Sequence, residues 1–213
     1  MATNISEWVQ HISARVPLCP DPVIEQEVLF TCQDFCQRTL LWDENKLDPI
    51  NIVATTHTYA LSSTDGDICA VDLVRVDSVP ITPVSVNELN KRGVTWRDLT
   101  SSRPAEYIVG MKDEIRLVYI PTENITAGLE VWVCLKPLKT ATSVEDFLYR
   151  DYRDVIKDGA SGRLLEIPGQ PWSDIELANY FITKYEDARD SAMSKKFTGR
   201  TRMQITATPV YFA

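Results

Sequence analysis

Two cysteines are the residues of this sequence whose spacing best suits a metal ion. Cys32 and Cys36 lie four residues apart on the apolar face of a predicted helix, a spacing at which two thiolates can share a metal. A zinc site also needs further ligands, and the sequence contains no second Cys or His pair to supply them. We therefore predict no metal site, and we expect both cysteines to pack in the core as small apolar residues.

The histidines and the acidic residues form no recognisable catalytic pattern. His11 falls on a short predicted helix and His57 falls in a turn between two predicted strands, so we expect both at the surface. The sequence contains no glycine-rich phosphate loop, no GxSxG nucleophile motif and no HExxH zinc motif. Acids are plentiful, but their spacing singles out no glycosidase-like pair. We predict that the chain is not an enzyme, with no catalytic residue and no cofactor.

The C-terminal segment carries the residues best suited to binding another protein. Two arginines are followed by alternating apolar and polar residues and then by a cluster of large apolar side chains, which favours anchoring in a pocket or against a sheet edge. We expect this tail to extend and dock on a partner or a neighbouring subunit. The alternative is that it folds back on its own chain as an extra strand. The candidate partner-binding residues are Arg200, Arg202, Met203, Ile205, Val210, Tyr211 and Phe212.

Charge divides the sequence into an acidic body and a basic end. The net charge is -8 over 213 residues, and from Lys195 onward there are four basic residues and no acid, so residues 1–194 carry -12. An excess of acid argues against a protein that coats nucleic acid. The five cysteines are odd in number and lack a framework spacing, which favours a reducing compartment. We expect neither a secretory signal nor a membrane span, because no suitable apolar run occurs.

Two predicted helices must position the tail. The first is entered at Ser143, and the second opens with Ser173 as the N-cap of a capping box completed by Glu176. The small residues at 159–162 lie within the first helix, where each of the two glycines costs about 1 kcal/mol relative to alanine. That cost is typical of a close approach by another backbone. With prolines in the intervening turn, the pattern predicts a tight antiparallel helix pair.

The rest of the chain divides into helical and β regions. We predict a short helix over about residues 6–15 and a longer one from Pro22 to about Trp42, with Asp21 as its N-cap. From Asn51 the apolar period changes to two, which predicts six or seven antiparallel strands. We therefore predict an α+β fold class. The parts are a helical bundle formed by residues 1–48 and 139–197, an inserted antiparallel sandwich-like or barrel-like β domain over 49–138, and an extended tail over 198–213.

Several short phrases in this order of parts are similar to those of a known family. The predicted β domain exits through Leu135-Lys136-Pro137, and the phrase IPGQPWSD at 167–174 joins the last two helices. Further similar pieces lie at 102–107 and at 119–121. The chain resembles the head-to-tail adaptor (connector) proteins of tailed bacteriophages, of the short-tailed (podovirus) type. The resemblance covers about residues 20–195 and is one of layout and short phrases.

This resemblance implies a structural protein of the virion. Adaptors of that family form a homo-oligomeric ring, twelve-fold in symmetry, which docks beneath the portal protein and is joined below to the tail nozzle or tail tube protein. They extend the DNA channel at the head–tail junction after being made in the host cytoplasm. The resemblance implies no catalytic site and no membrane contact. DNA would pass through the lumen without sequence-specific binding.

Three other functions remain open from the sequence. The first alternative is a stopper or head-completion protein of a long-tailed phage, which would differ from an adaptor in its partner. The second is a peptidoglycan hydrolase associated with the tail, an activity suspected for some adaptors. A non-viral binding module is the third alternative. Size in solution with and without portal, together with a cell-wall cleavage assay, separates these functions.

Overall fold

The computed structural model describes residues 2–110 and 113–198. Helices account for 42% of the chain and strands for 28%, so the predicted α+β class is confirmed. The chain forms two compact units, one made of the residues up to Leu41 together with those from Lys139 onward, and one made of Trp42–Leu138. Within the described residues, no helix is both long and apolar enough to cross a membrane.

The helices lie at both ends of the described chain, with a short one between them. The α-helices are α1 Val9–Ile12, α2 Asp21–Thr39, α3 Val86–Arg92, α4 Asp146–Glu166 and α5 Ile175–Thr198, and 3₁₀ helices span Ile5–Trp8 and Val94–Arg97.

The strands are short, apart from two long ones that pair with each other. They are β1 Ala2–Asn4, β2 Asn45–Lys46, β3 Ile50–Ile52, β4 Thr58–Ala60, β5 Asp67–Val76, β6 Val79–Pro80, β7 Thr82–Pro83, β8 Thr100–Ser101, β9 Glu106–Val109, β10 Glu114–Val118, β11 Ile120–Pro121, β12 Ile125–Lys136 and β13 Ser143–Glu145.

The first strand is paired with the strand that leads into α4. Strands β1 and β13 are antiparallel, with Thr3 opposite Val144, and the Thr3 hydroxyl donates to Asp146 Oδ1 over 2.9 Å. The prediction that a helix is entered at Ser143 is therefore wrong, because Ser143–Glu145 is extended and α4 begins at Asp146. Backbone pairing with a segment more than 130 residues away overrides the local capping signal.

The N-terminal helices differ in detail from their predictions. The predicted single helix is a 3₁₀ helix followed by α1, and its apolar side is buried through Trp8 and Ile12. Asp21 is the first residue of α2, and Pro20 takes the N-cap position. The helix ends where Leu40 adopts a left-handed backbone conformation with φ of 53°.

Helices α4 and α5 form the predicted close antiparallel pair. A Cβ at Gly162 would lie 2.7 Å from Ile182 Cγ1 and 3.1 Å from the Ile182 amide nitrogen, whereas one at Gly159 would lie 2.7 Å from a ring carbon of Tyr185. The earlier glycine of α4 approaches the later residue of α5, and the later glycine approaches the earlier residue, so the two helices are antiparallel. The small residues are therefore required, because any side chain would separate the two backbones.

The predicted capping box at the start of α5 is wrong. The amide of Leu177 donates to Asp174 Oδ1 over 3.0 Å, so Asp174 is the N-cap. The Ser173 hydroxyl instead donates to the carbonyl of Leu165 at the end of α4, over 3.3 Å. The helix begins one residue later than predicted. Its buried residues include Ala178, Phe181 and Tyr185, whereas Leu177 is 38% exposed.

The β unit contains one long antiparallel sheet and one mixed sheet. In the first, the order is β2-β12-β5-β6, and β3 also pairs with β12. In the second, the order is β4-β10-β9-β7, and β7 runs parallel to β9. Strands β8 and β11 form a further parallel pair. The prediction of a wholly antiparallel domain is therefore wrong, because the crossover through α3 returns the chain in a parallel direction.

Two apolar clusters stabilise the β unit. The larger one joins residues of both sheets, among them Val74 and Val131 from the first and Tyr107 and Leu117 from the second. The smaller one packs α3 and the second 3₁₀ helix against the opposite face of the second sheet. Its buried members are Val84, Leu89, Trp96 and Val118, with Ile108 and Tyr119 packed beside them.

We predict that Gly159→Leu or Gly162→Leu destabilises the protein strongly. Overpacking of this kind costs about 1–3 kcal/mol, which corresponds to a fall in melting temperature of roughly 2–10 °C for a chain of this size. Thermal unfolding followed by circular dichroism measures the shift. The matched control is Arg150→Leu, which places the same side chain at an exposed position of α4. An unchanged midpoint in both glycine variants would contradict the close packing.

Candidate functional site

The residues predicted to bind a partner lie outside the described part of the chain. These residues, Arg200, Arg202, Met203, Ile205, Val210, Tyr211 and Phe212, all follow the last described residue, Thr198. The structure instead describes α5, the helix that leads to them. The candidate functional site is therefore built from α5 and from the contacts that hold it.

A buried carboxylate on α4 holds the middle of α5. Asp158 Oδ1 accepts from Arg15 Nη1 over 2.7 Å, and Asp158 Oδ2 lies 2.8 Å from Lys184 Nζ on α5. The carboxylate is only 4% exposed. The hydrogen bond from Lys184 to Asp158 raises the pKa of that lysine. The Arg15 guanidinium also lies 4.2 Å from the ring centroid of Phe181 and donates to Ser161 Oγ. One carboxylate thus joins three parts of the helical unit.

A second carboxylate, Asp34 on α2, holds the following turns of α5. The Tyr185 hydroxyl donates to Asp34 Oδ2 over 2.8 Å, and Arg189 approaches the same oxygen at 4.0 Å. Arg38 and Arg163 also pair with Asp34, at 2.8 Å and 3.5 Å. Burial by itself raises the pKa of Asp34, but the hydrogen bonds from Arg38 and Tyr185 and the charge of Arg163 outweigh burial and lower it. Asp34 is therefore held as an anion.

The last turns of α5 are tied to the end of α2. The Lys196 ammonium donates to the carbonyl of Leu40, the residue that ends α2 in a left-handed conformation. Lys195 and Lys196 belong to α5 and not to the tail, and cations are favourable at the C-terminal end of a helix. The start of the basic segment is thus part of the folded helix.

The opposite face of α5 is exposed and partly apolar. Ile175 and Tyr180 are 58% and 60% exposed, and Met193 is 41% exposed. A groove of about 570 Å³ follows this face and is lined by Asn179, Tyr180, Thr183, Lys184 and Asp187. The helix therefore presents one face to the unit's own core and leaves the other accessible along its length.

The cysteines and histidines that the sequence singled out are not assembled into a reactive site. Cys32 and Cys36 are fully buried, which confirms the prediction that they pack in the core, and burial raises the pKa of the Cys32 thiol. His11 and His57 are half-buried rather than fully exposed. In the part of the chain that the structure describes, no three His, Cys, Asp or Glu side chains are grouped as metal ligands would be.

The two anchoring carboxylates were missed by sequence reasoning. Asp158 directly precedes the small-residue segment that was recognised as a close contact, and it lies on the buried side of α4 with Ala160 and Ser161. The sequence signal for Asp158 is a charged residue at a position that the helical period predicts to be buried, because buried charges are rare unless they are paired. Asp34 lies between Cys32 and Cys36 on α2 and gave no such signal.

No family model matches the chain, and no curated protein matches it either.

We predict that Tyr185→Phe destabilises the protein by about 2 kcal/mol at pH 7, because it removes a hydrogen bond to a charged group. The pKa of Asp34 is lower in the folded protein than in the unfolded chain. The stabilising contribution of its carboxylate is therefore complete above about pH 4 and is lost as the pH falls through the folded value. The difference between variant and wild type should accordingly narrow between pH 7 and about pH 2.5.

Urea unfolding at both pH values measures this difference. Tyr180→Phe is the matched control, since it removes a hydroxyl from an exposed tyrosine on the same helix. A Tyr185→Phe effect of the same size at both pH values would show that the hydroxyl does not stabilise the Asp34 anion.

Proposed function

We propose that this protein is a head-to-tail adaptor of a short-tailed bacteriophage, a structural component of the virion. The observation that carries the proposal is the layout of the chain. One helical unit is formed by residues from both ends, and the β unit Trp42–Leu138 is inserted between them. The resemblance rests on helices at both ends of the chain with a β insertion between them, and the two compact units have this same arrangement along the sequence.

The turn between α4 and α5 supports the same proposal. It contains the phrase at 167–174 that is similar to the adaptor family, and it brings α5 back along α4 so that the glycines of α4 contact it. The amide of Asp174 donates to the carbonyl of Leu165 over 3.0 Å, which closes the turn. A short turn closed by this hydrogen bond fixes the direction of α5 relative to α4.

The charge distribution fits a channel for DNA. Residues 1–194 carry a net charge of -12. An acidic wall repels phosphates, so DNA slides past without adhering. In this proposal the chain forms a homo-oligomeric ring beneath the portal protein, extends the DNA channel towards the tail nozzle or tail tube, and performs no catalysis.

The tail is proposed as the part that docks in trans. Helix α5 leads directly to it and is fixed to α2 and α4 through Asp34, Asp158 and Leu40. Arg200 and Arg202 would meet acidic groups on the portal or a neighbouring subunit, and Tyr211 and Phe212 would fill an apolar site there. A helix that is fixed to its own unit and is followed by a partner-binding segment suits a subunit that assembles onto a preformed ring.

We expect the purified chain to bind portal rings of its own phage as a symmetric ring. Native mass spectrometry gives the number of copies, and electron microscopy gives the rotational symmetry. The matched control is a chain lacking residues 200–213, which should keep the melting temperature of the full chain and fail to assemble. Failure of the full chain to bind the portal would overturn the adaptor function.

Three further outcomes would revise parts of this proposal. If the truncated chain still assembles, the tail is not the docking segment, and if it unfolds, the tail belongs to the subunit's own fold. Cleavage of purified cell wall by the monomer would favour a hydrolase instead of an adaptor.

A further inference from the structure

Two arginines in the β unit share one tryptophan ring. Trp96 is 5% exposed and belongs to the small apolar cluster beneath α3. The Arg97 guanidinium carbon lies 4.4 Å from the centroid of its indole ring, and that of Arg116 lies 5.0 Å from the same centroid. The indole N–H donates to Asn90 Oδ1 over 3.0 Å, which fixes the orientation of the ring. The two guanidinium carbons therefore lie at most 9.4 Å apart, on either side of one shared ring centroid or on the same side of it.

Neither guanidinium is neutralised by a carboxylate. Among residues 2–110 and 113–198, Arg97 and Arg116 form no ion pair, although Asp98 and Glu114 are near them in sequence. Within that same part of the chain, the one hydrogen bond that Arg97 donates is a long one of 3.4 Å to Asn90 Oδ1. The Nε atom of Arg116 is buried and finds no hydrogen-bond partner among the described residues.

A neighbouring arginine shows what a structural pairing looks like in this unit. Arg92 on α3 donates to both oxygens of Glu106 over 2.8 Å and 2.9 Å, and to Glu88 over 2.6 Å. It joins α3 to β9 with its charge fully matched. The buried Nε of Arg116 differs from this pattern, because a buried donor without a partner is costly, and the exposed Arg97 beside the same ring is available to share an anion with it.

The immediate surroundings of Arg116 disfavour its positive charge. Burial lowers the pKa of Arg116, and the charge of Arg97 lowers it further, as expected for two neighbouring cations without an anion between them. His57 precedes β4, and its carbonyl accepts from the amide of Leu117 on β10. Burial lowers the pKa of His57, with a further contribution from Arg116, so the imidazole is neutral at pH 7. The local charge to be matched is thus that of the two arginines.

We propose that Arg97 and Arg116 form an anion site that binds a dianionic phosphate group. Two guanidinium groups supply two positive charges and several N–H donors in planar forks. At pH 7 a phosphate monoester carries about 1.5 to 2 negative charges and presents three acceptor oxygens, and inorganic phosphate presents four oxygens, whereas a single carboxylate supplies one charge. Because Trp96 is covered, the site reads the phosphate and does not stack a base. This inference does not rest on the proposed adaptor function.

The test uses the full ¹⁵N-labelled chain and inorganic phosphate as the probe. We expect a saturable shift of the indole N–H resonance of Trp96 and of the Arg116 Nε–H resonance. Arg97→Gln and Arg116→Gln should each weaken binding at least tenfold. The matched control is Arg103→Gln, which removes an exposed arginine that pairs with Asp77 in the same unit and should leave the affinity unchanged.

Three additional ligands identify the source of the phosphate. A nucleoside monophosphate that binds with the same affinity as inorganic phosphate supports a site that contacts the phosphate group alone. A nucleoside monophosphate that binds more tightly than inorganic phosphate would contradict this, because the nucleoside would then also contact the protein. Duplex DNA or an acidic peptide that binds more tightly than phosphate, and loses binding in Arg97→Gln, would replace this proposal by a macromolecular interface. It is also overturned if phosphate produces no saturable shift, or if Arg103→Gln weakens binding as much as Arg97→Gln. Arg97 is exposed, so its variant tests the site even if Arg116→Gln fails to fold.

Discussion

The helical unit depends on the buried carboxylate of Asp158. A carboxylate removed from water costs several kcal/mol unless its charge is matched by well-placed cations. Arg15 and Lys184 supply two, and the pair with Arg15 spans 143 residues of sequence. This contact therefore couples the N-terminal segment, α4 and α5, because movement of any one of them breaks a charged contact to the carboxylate.

Closing the unit from both ends has consequences for the whole chain. Residues up to Leu41 and from Lys139 onward form one unit, so the β unit is tethered to it by two connections. The β1–β13 pairing and the Lys196–Leu40 contact also join the N-terminal and C-terminal parts of the helical unit. Such a unit holds α5 at several points along the helix. That property is what the proposed assembly onto a portal requires.

Sequence reasoning succeeded where the signal was steric and local. The small residues at 159–162 predicted a close helix contact because glycine is costly in a helix unless something needs the space, and the contact is present. The change of period after Asn51 predicted strands for a similar local reason. The helix–sheet class follows from these two patterns.

The errors have a common cause, which is that distant partners decide between local alternatives. Ser143 satisfies a capping rule, yet strand pairing with Thr3 and its neighbours keeps it extended. Ser173 also satisfies the rule, but its hydroxyl is used by the carbonyl of Leu165. The parallel strand pairs and the Asp158 and Asp34 clusters likewise require knowledge of which elements meet, and neither periodicity nor composition carries it.

Asp158 couples the N-terminal segment to α4 and α5, and the free energy of unfolding of Asp158→Asn tests this coupling most directly. Asp154→Asn is the matched control, because Asp154 lies one turn earlier on α4 and pairs with Lys157 at 2.6 Å, but its side chain is 67% exposed. We predict that Asp158→Asn lowers the free energy of unfolding by about 2 kcal/mol or more, because Arg15 and Lys184 are left without the anion that they pair with. We predict a fall of less than about 0.5 kcal/mol for Asp154→Asn. Equal effects of the two substitutions would contradict the claim.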